Sequence, residues 1–124
     1  MTAKLTLILA AANGLLAVGL GAFGAHGLKS KISASLFSAY ETAVQYHFYH
    51  TLALLGVGIL LLHFGPKTTL QFSAGLMLVG IVFFCGSLYA LALGGPTWLG
   101  PITPLGGLAF MGGWLCLLLT AVKT

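Results

Sequence analysis

The chain reads as an all-α membrane protein, a bundle of four transmembrane helices joined by short loops. Three observations carry this. Residues 68–122, about 55 in a row, contain no Asp, Glu, Lys, Arg or His, which is room for two bilayer crossings at about 20 residues each. Charged residues make up only 5% of the 124 positions, against roughly 25% in a soluble domain. Hydrophobic residues reach 59% and the mean hydropathy is +1.08. Water is not the solvent of such a chain.

The first helix is expected over residues 5–27. Its apolar stretch exceeds the 7–15 residues of a secretory signal core, and Lys4 alone is a weak basic flank, so it reads as retained. Ala17, Gly21 and Ala25 stand four apart. That small-xxx-small spacing lets helix backbones approach closely in lipid, and it marks the expected packing face.

A short basic connection, residues 28–33, holds Lys29 and Lys31. Ser33 or Ser35 can cap the second helix, because a side-chain oxygen there accepts from an otherwise unpaired amide. That helix is expected over 34–64, about 45 Å at 1.5 Å per residue. It exceeds the hydrocarbon thickness, so its first two turns belong to the interface. Gly65-Pro66 stops it, since proline cannot continue the hydrogen-bonding pattern.

The third helix is expected over 69–93 and ends at Gly94-Gly95-Pro96. Trp98 in the following connection is a headgroup-level anchor. The fourth is expected over 105–122, closed by Lys123. All 124 residues form one transmembrane domain in this reading. Four spans put both termini on one side; Lys4, Lys67 and Lys123 there, against Lys29 and Lys31, favour the cytoplasmic side.

Charge and cysteine content exclude several classes. The net charge of +4 comes from five dispersed lysines against the single acid Glu41. Lysines at segment ends snorkel to the interface; they do not form a nucleic-acid patch. Cys85 and Cys116 lie in apolar runs without ligand spacing and read as small buried hydrophobes, so neither metal nor cofactor is expected from them. Hydrolytic chemistry wants a positioned nucleophile and base or a second carboxylate, and the chain is therefore not expected to be an enzyme.

Polar residues concentrate early in the second helix, where Glu41, Gln45, His47 and His50 follow one another within ten positions. Ionisable groups inside membrane segments are expensive and mark function by default. At about 100° per residue, Glu41, Gln45 and less closely Tyr49 share one face, and His47 another. His47 and His50 at i, i+3 can present two imidazoles to one point, and His26 closes the first helix on the same membrane side. The expectation is one buried polar cluster of His26, Glu41, Gln45, His47 and His50, with His47 free to reach Ser87 or Tyr89 on the third helix instead.

Gly21-Ala-Phe-Gly-Ala-His-Gly-Leu28, Gln45-Tyr-His-Phe-Tyr-His50, Gly86-Ser-Leu-Tyr89, and Pro101-Ile-Thr-Pro-Leu-Gly-Gly107 followed by Gly113-Trp114 stand in order along nearly the whole chain. In these motifs the chain resembles the YgdD-like family of small integral proteins of bacterial inner membranes, which is related to a small eukaryotic transmembrane protein. The resemblance implies a four-helix inner-membrane protein and carries over no catalytic residues. Where the family pattern has Phe-Ser-Gly-Ser, this chain has Phe84-Cys85-Gly86-Ser87, which argues against an essential hydroxyl at position 85.

Three functional readings stay open at this level. One is a small accessory or interaction subunit, its partners being membrane lipids and a homo-oligomer or larger membrane complex. The second is a minimal oligomeric transporter or channel with Glu41, Gln45, His47 and His50 along its path. The third is a metal- or haem-binding membrane protein using His26, His47 and His50.

Overall fold

The computed structural model describes residues 1–124 and contains helices without strands. Four of them are long and apolar enough to cross a membrane. The first, α1, covers Ala3–Leu28; α2 covers Ala34–Phe64; α3 covers Thr68–Ala92. The fourth, α4, covers Ile102–Val122 and follows a 3-10 turn at Thr97–Leu99.

Local chemistry sets the helix ends. The Thr2 hydroxyl accepts from the Leu5 amide at 3.1 Å, and the Ser33 hydroxyl accepts from the Leu36 amide at 3.2 Å. Each supplies a partner for a first-turn N–H that lacks an intrahelical one. After α2, Gly65 takes φ +80, and after α3 Gly94 takes φ +97, a left-handed backbone that glycine adopts without a Cβ penalty. Helix α4 starts three residues earlier than the sequence suggested, with Pro101 as its N-cap and Pro104 in its first turn. The missing N–H of proline costs nothing there, because first-turn amides have no helical acceptor.

Two π-helical turns interrupt otherwise regular spans, Gly24–Leu28 at the end of α1 and Ile81–Cys85 within α3. At the first, the Tyr40 ring lies where a Cβ on Gly24 would sit, and the Tyr40 hydroxyl donates to the Leu20 carbonyl.

Helix α1 packs along α2, α2 along α3, and α3 along α4. The core between them joins Ala10, Ala43, Leu54, Val57, Met77, Cys85 and Phe110. In lipid, association rests on close packing and interhelical hydrogen bonds. The α3–α4 seam has both. Ser87 and Thr103 share a hydroxyl contact at 2.5 Å, the Ser73 hydroxyl donates to the Gly113 carbonyl at 2.9 Å, and the Thr120 hydroxyl donates to Thr69 at 2.6 Å. Between these levels a Cβ on Gly106 would collide with the Phe84 backbone, and one on Gly80 with the Phe110 ring.

The expected α1 packing face needs correction. Ala17 is buried; Gly21 is half-buried and close to α2, where a Cβ would press on Val44 Cγ1 at 3.3 Å; Ala25 is exposed. The seam instead runs through Thr6, Ala10, Ala17, Gly24 and Leu28, all buried. The small-residue spacing is present on α1, and the partner helix meets it along a row that includes Ala17, has Gly21 at its edge and leaves Ala25 outside.

Candidate functional site

Three polar arrangements occupy the half of the bundle next to the 28–33 connection. The first is a buried chain across α1, α2 and α3. Asn13 Nδ2 donates to the Leu9 carbonyl at 2.8 Å, and its Oδ1 lies 2.9 Å from His47 Nε2. His47 Nδ1 lies 2.9 Å from the Tyr89 hydroxyl. Because the Asn13 oxygen can only accept, His47 Nε2 carries the proton; in neutral imidazole Nδ1 then accepts from Tyr89. Every group in the chain is satisfied with no net charge. His47 is 2% exposed.

One turn further along α2, Thr51 is buried and its hydroxyl has no partner. Its methyl faces Gly14 of α1, where an added Cβ would lie at 3.6 Å. Gly14 is near the middle of the 26-residue α1 span, so Thr51 marks the bilayer midplane. On that scale Tyr49 lies about 3 Å from the midplane, Gln45 about 9 Å, and Glu41 about 15 Å, at the edge of the hydrocarbon.

The second arrangement surrounds His50. The Trp114 indole N–H donates to His50 Nε2 at 3.1 Å, and His50 Nδ1 lies 2.8 Å from the Tyr46 carbonyl. Indole only donates and a carbonyl only accepts, so His50 is the neutral Nδ1–H tautomer. Its ring lies flat on Phe110, centroids 3.5 Å apart at 10°. Beside it, Tyr46, Phe84, Met111 and Trp114 line an outward-facing groove of about 480 Å³.

The third lies on the outside. Glu41, Gln45 and Tyr49 are exposed on the outer side of α2, Glu41 and Gln45 at its α1 flank and Tyr49 at the rim of the groove beside His50. No side-chain hydrogen bond within the chain reaches them, although their neighbours Thr42, His47 and His50 are each bonded. Glu41 and Gln45 border a groove of about 160 Å³ between α1 and α2, floored by Gly21 and Gly24.

The single buried cluster expected from the sequence therefore divides. His47 and His50 are buried but turn to opposite flanks, one toward α1 and α3 and the other toward α4. His26, Glu41 and Gln45 are exposed and join neither. No three His, Cys, Asp or Glu side chains come together in a way that could hold a metal ion. Helix α2 is longer than its neighbours and polar on several sides, and its neighbours cover the His47 and His50 flanks but not the side that carries Glu41 and Gln45. Sequence reasoning passed over Asn13 and the Trp114 contact. Asn13 carried a signal, as the one Asn of the chain in the middle of an apolar run.

Four membrane-long helices, a glycine-tightened α3–α4 seam and a neutral polar chain at bilayer depth define a small polytopic integral membrane protein. The comparisons place it more closely. Residues 20–107 match the family described as "Protein of unknown function (DUF423)", and the chain belongs to that family. It is 50% identical over 123 residues to "UPF0382 membrane protein YwdK" of Bacillus subtilis, covering 97% of this chain and 98% of that one. It is 46% identical over 120 residues to "UPF0382 membrane protein SSP2132" of Staphylococcus saprophyticus, covering 97% of this chain and 98% of that one. No solved structure matches it. With bacterial relatives named as membrane proteins and four spanning helices, the chain is an integral protein of the bacterial inner membrane.

Proposed function

We propose that this protein is a small accessory or interaction subunit that works by packing against protein within the membrane, without catalytic chemistry of its own. The observation that carries this is the outward polar face of α2: Gln45 and Tyr49 are exposed, unbonded within the chain, and within about 9 Å of the midplane. Leaving such groups against hydrocarbon costs on the order of several kcal/mol each. A protein partner that bonds them removes that cost.

The transporter alternative has less support. The buried polar groups a conduit would use, Asn13, His47 and Tyr89, satisfy one another between tightly packed helices. The metal or haem alternative fares similarly, because both nitrogens of His47 and of His50 are engaged in hydrogen bonds. The ordered motifs from Gly21 to Trp114 also support a place in the YgdD-like group.

A photoreactive aromatic residue in place of Tyr49, irradiated in native membranes, tests the interaction reading. Discrete protein adducts are expected. A chain modified only by lipid overturns the reading.

A further inference from the structure

Building on that reading, we propose that the partner on the outward face of α2 is a second copy of the same chain, paired α2 to α2 in a parallel two-fold dimer. For two copies inserted the same way up, a two-fold axis along the membrane normal brings each residue of α2 to its own counterpart at the same depth.

The unbonded groups suit that arrangement. A carboxamide donates and accepts, and so does a phenol, so Gln45 and Tyr49 are each complementary to themselves. A hydrocarbon surface offers neither function. A foreign partner would need to supply matching groups at both depths, whereas a second copy does so by symmetry.

Spacing supplies an independent argument. Thr42, Tyr49 and Gly56 form one row on this face, and Gln45, Leu52 and Ile59 form the adjacent row, each repeating every seven residues. Two adjacent rows of this period form the seam of parallel helices that cross at about 20° with a left-handed twist. At Gly56 an added Cβ would meet nothing within 4 Å inside the chain, so this glycine has no packing role there. In the pair it lets the two backbones approach just past the midplane.

Disulfide trapping tests the pairing. In a Cys116→Ala background, with Cys85 left enclosed in the core, Leu52→Cys in oxidised native membranes should give a disulfide-linked dimer. Leu15→Cys on α1, 80% exposed, should give little. Adding Gln45→Leu to Leu52→Cys should lower the dimer yield about 3- to 15-fold, the range one interhelical hydrogen bond in a bilayer supplies. Equal yields from Leu52→Cys and Leu15→Cys overturn the dimer. The Tyr49 photo-adduct separates this from the broader reading. An adduct of twice the 12.8 kDa chain supports self-pairing. Adducts only of other masses overturn it and leave an interaction subunit standing. Lipid adducts alone overturn both.

Discussion

The Tyr89 hydroxyl donates to His47 Nδ1 at 2.9 Å, and with the Asn13 bond on the far side of the ring this pins α3 to α2 and α2 to α1 at one depth. Interhelical hydrogen bonds in bilayers average about 0.6 kcal/mol, with a maximum near 1.7. Tyr89→Phe removes the donor and leaves a buried ring nitrogen unpaired. It should lower stability by about 1 kcal/mol in a reversible unfolding assay. His47→Gln should fold, because an amide can still donate to one neighbour and accept from the other. In a double-mutant cycle the two substitutions should couple by at least about 0.5 kcal/mol; strict additivity would show that they do not interact.

Glycine positions should rank by what lies against them. Gly106→Ala drives a methyl into the Phe84 backbone, and backbone cannot swing aside as a flexible side chain can. Overpacking of this kind costs typically about 1–3 kcal/mol. Gly21→Ala meets only Val44 Cγ1 at 3.3 Å and should cost less, and Gly75→Ala, with nothing within 4 Å, should be tolerated. Thermal aggregation in detergent should therefore order them Gly106, Gly21, Gly75 from most to least harmful. A Gly75 variant as unstable as the Gly106 variant would contradict the α3–α4 packing.

Thr51 gives a prediction of opposite sign. Its hydroxyl is buried without a partner, and an unpaired buried polar group costs roughly 1–3 kcal/mol. Thr51→Val keeps the shape and removes that cost, so the variant should equal or exceed the parent in stability. A clear loss would reveal a hydrogen-bonding partner for the hydroxyl.

The two tryptophans should report different depths. Trp98, 64% exposed, sits in the turn after α3, whereas Trp114 lies within α4 and donates to His50. With Trp98→Phe, the remaining emission should be quenched by lipids brominated along the acyl chain and little by aqueous acrylamide. With Trp114→Phe the pattern should reverse.

The helix count, the second helix's limits and a serine cap at Ser33 or Ser35 are legible in the sequence because they depend on run length, Gly-Pro breaks and local hydrogen-bonding chemistry. The start of α4 was not, since Pro104 reads equally as loop or as first-turn proline. The larger failure concerned faces. In a soluble helix polarity separates inside from outside, but here both sides are apolar, so periodicity could not show that Ala25 faces outward or that Gly24 is the buried glycine. Polarity itself misled at Glu41 and Gln45. In a membrane segment polarity points to the interior, whereas these two lie on the surface of the single chain.

The π-helical turn at Ile81–Cys85 works as a phase shifter. One extra residue in a helical turn rotates everything after it by about 100° relative to an uninterrupted helix. Before the turn, α3 directs Ser73 to α4; after it, the same helix directs Tyr89 to α2 and Ser87 to α4. Straightening this turn into regular α-helix with all its residues kept would leave a span of the same hydropathy and nearly the same length. It would rotate Tyr89 and Ser87 by about 100°, away from His47 and Thr103. The bilayer would accept the straightened helix while the bundle lost its lock, so in this chain crossing the membrane and finding the right neighbours depend on different features of one segment.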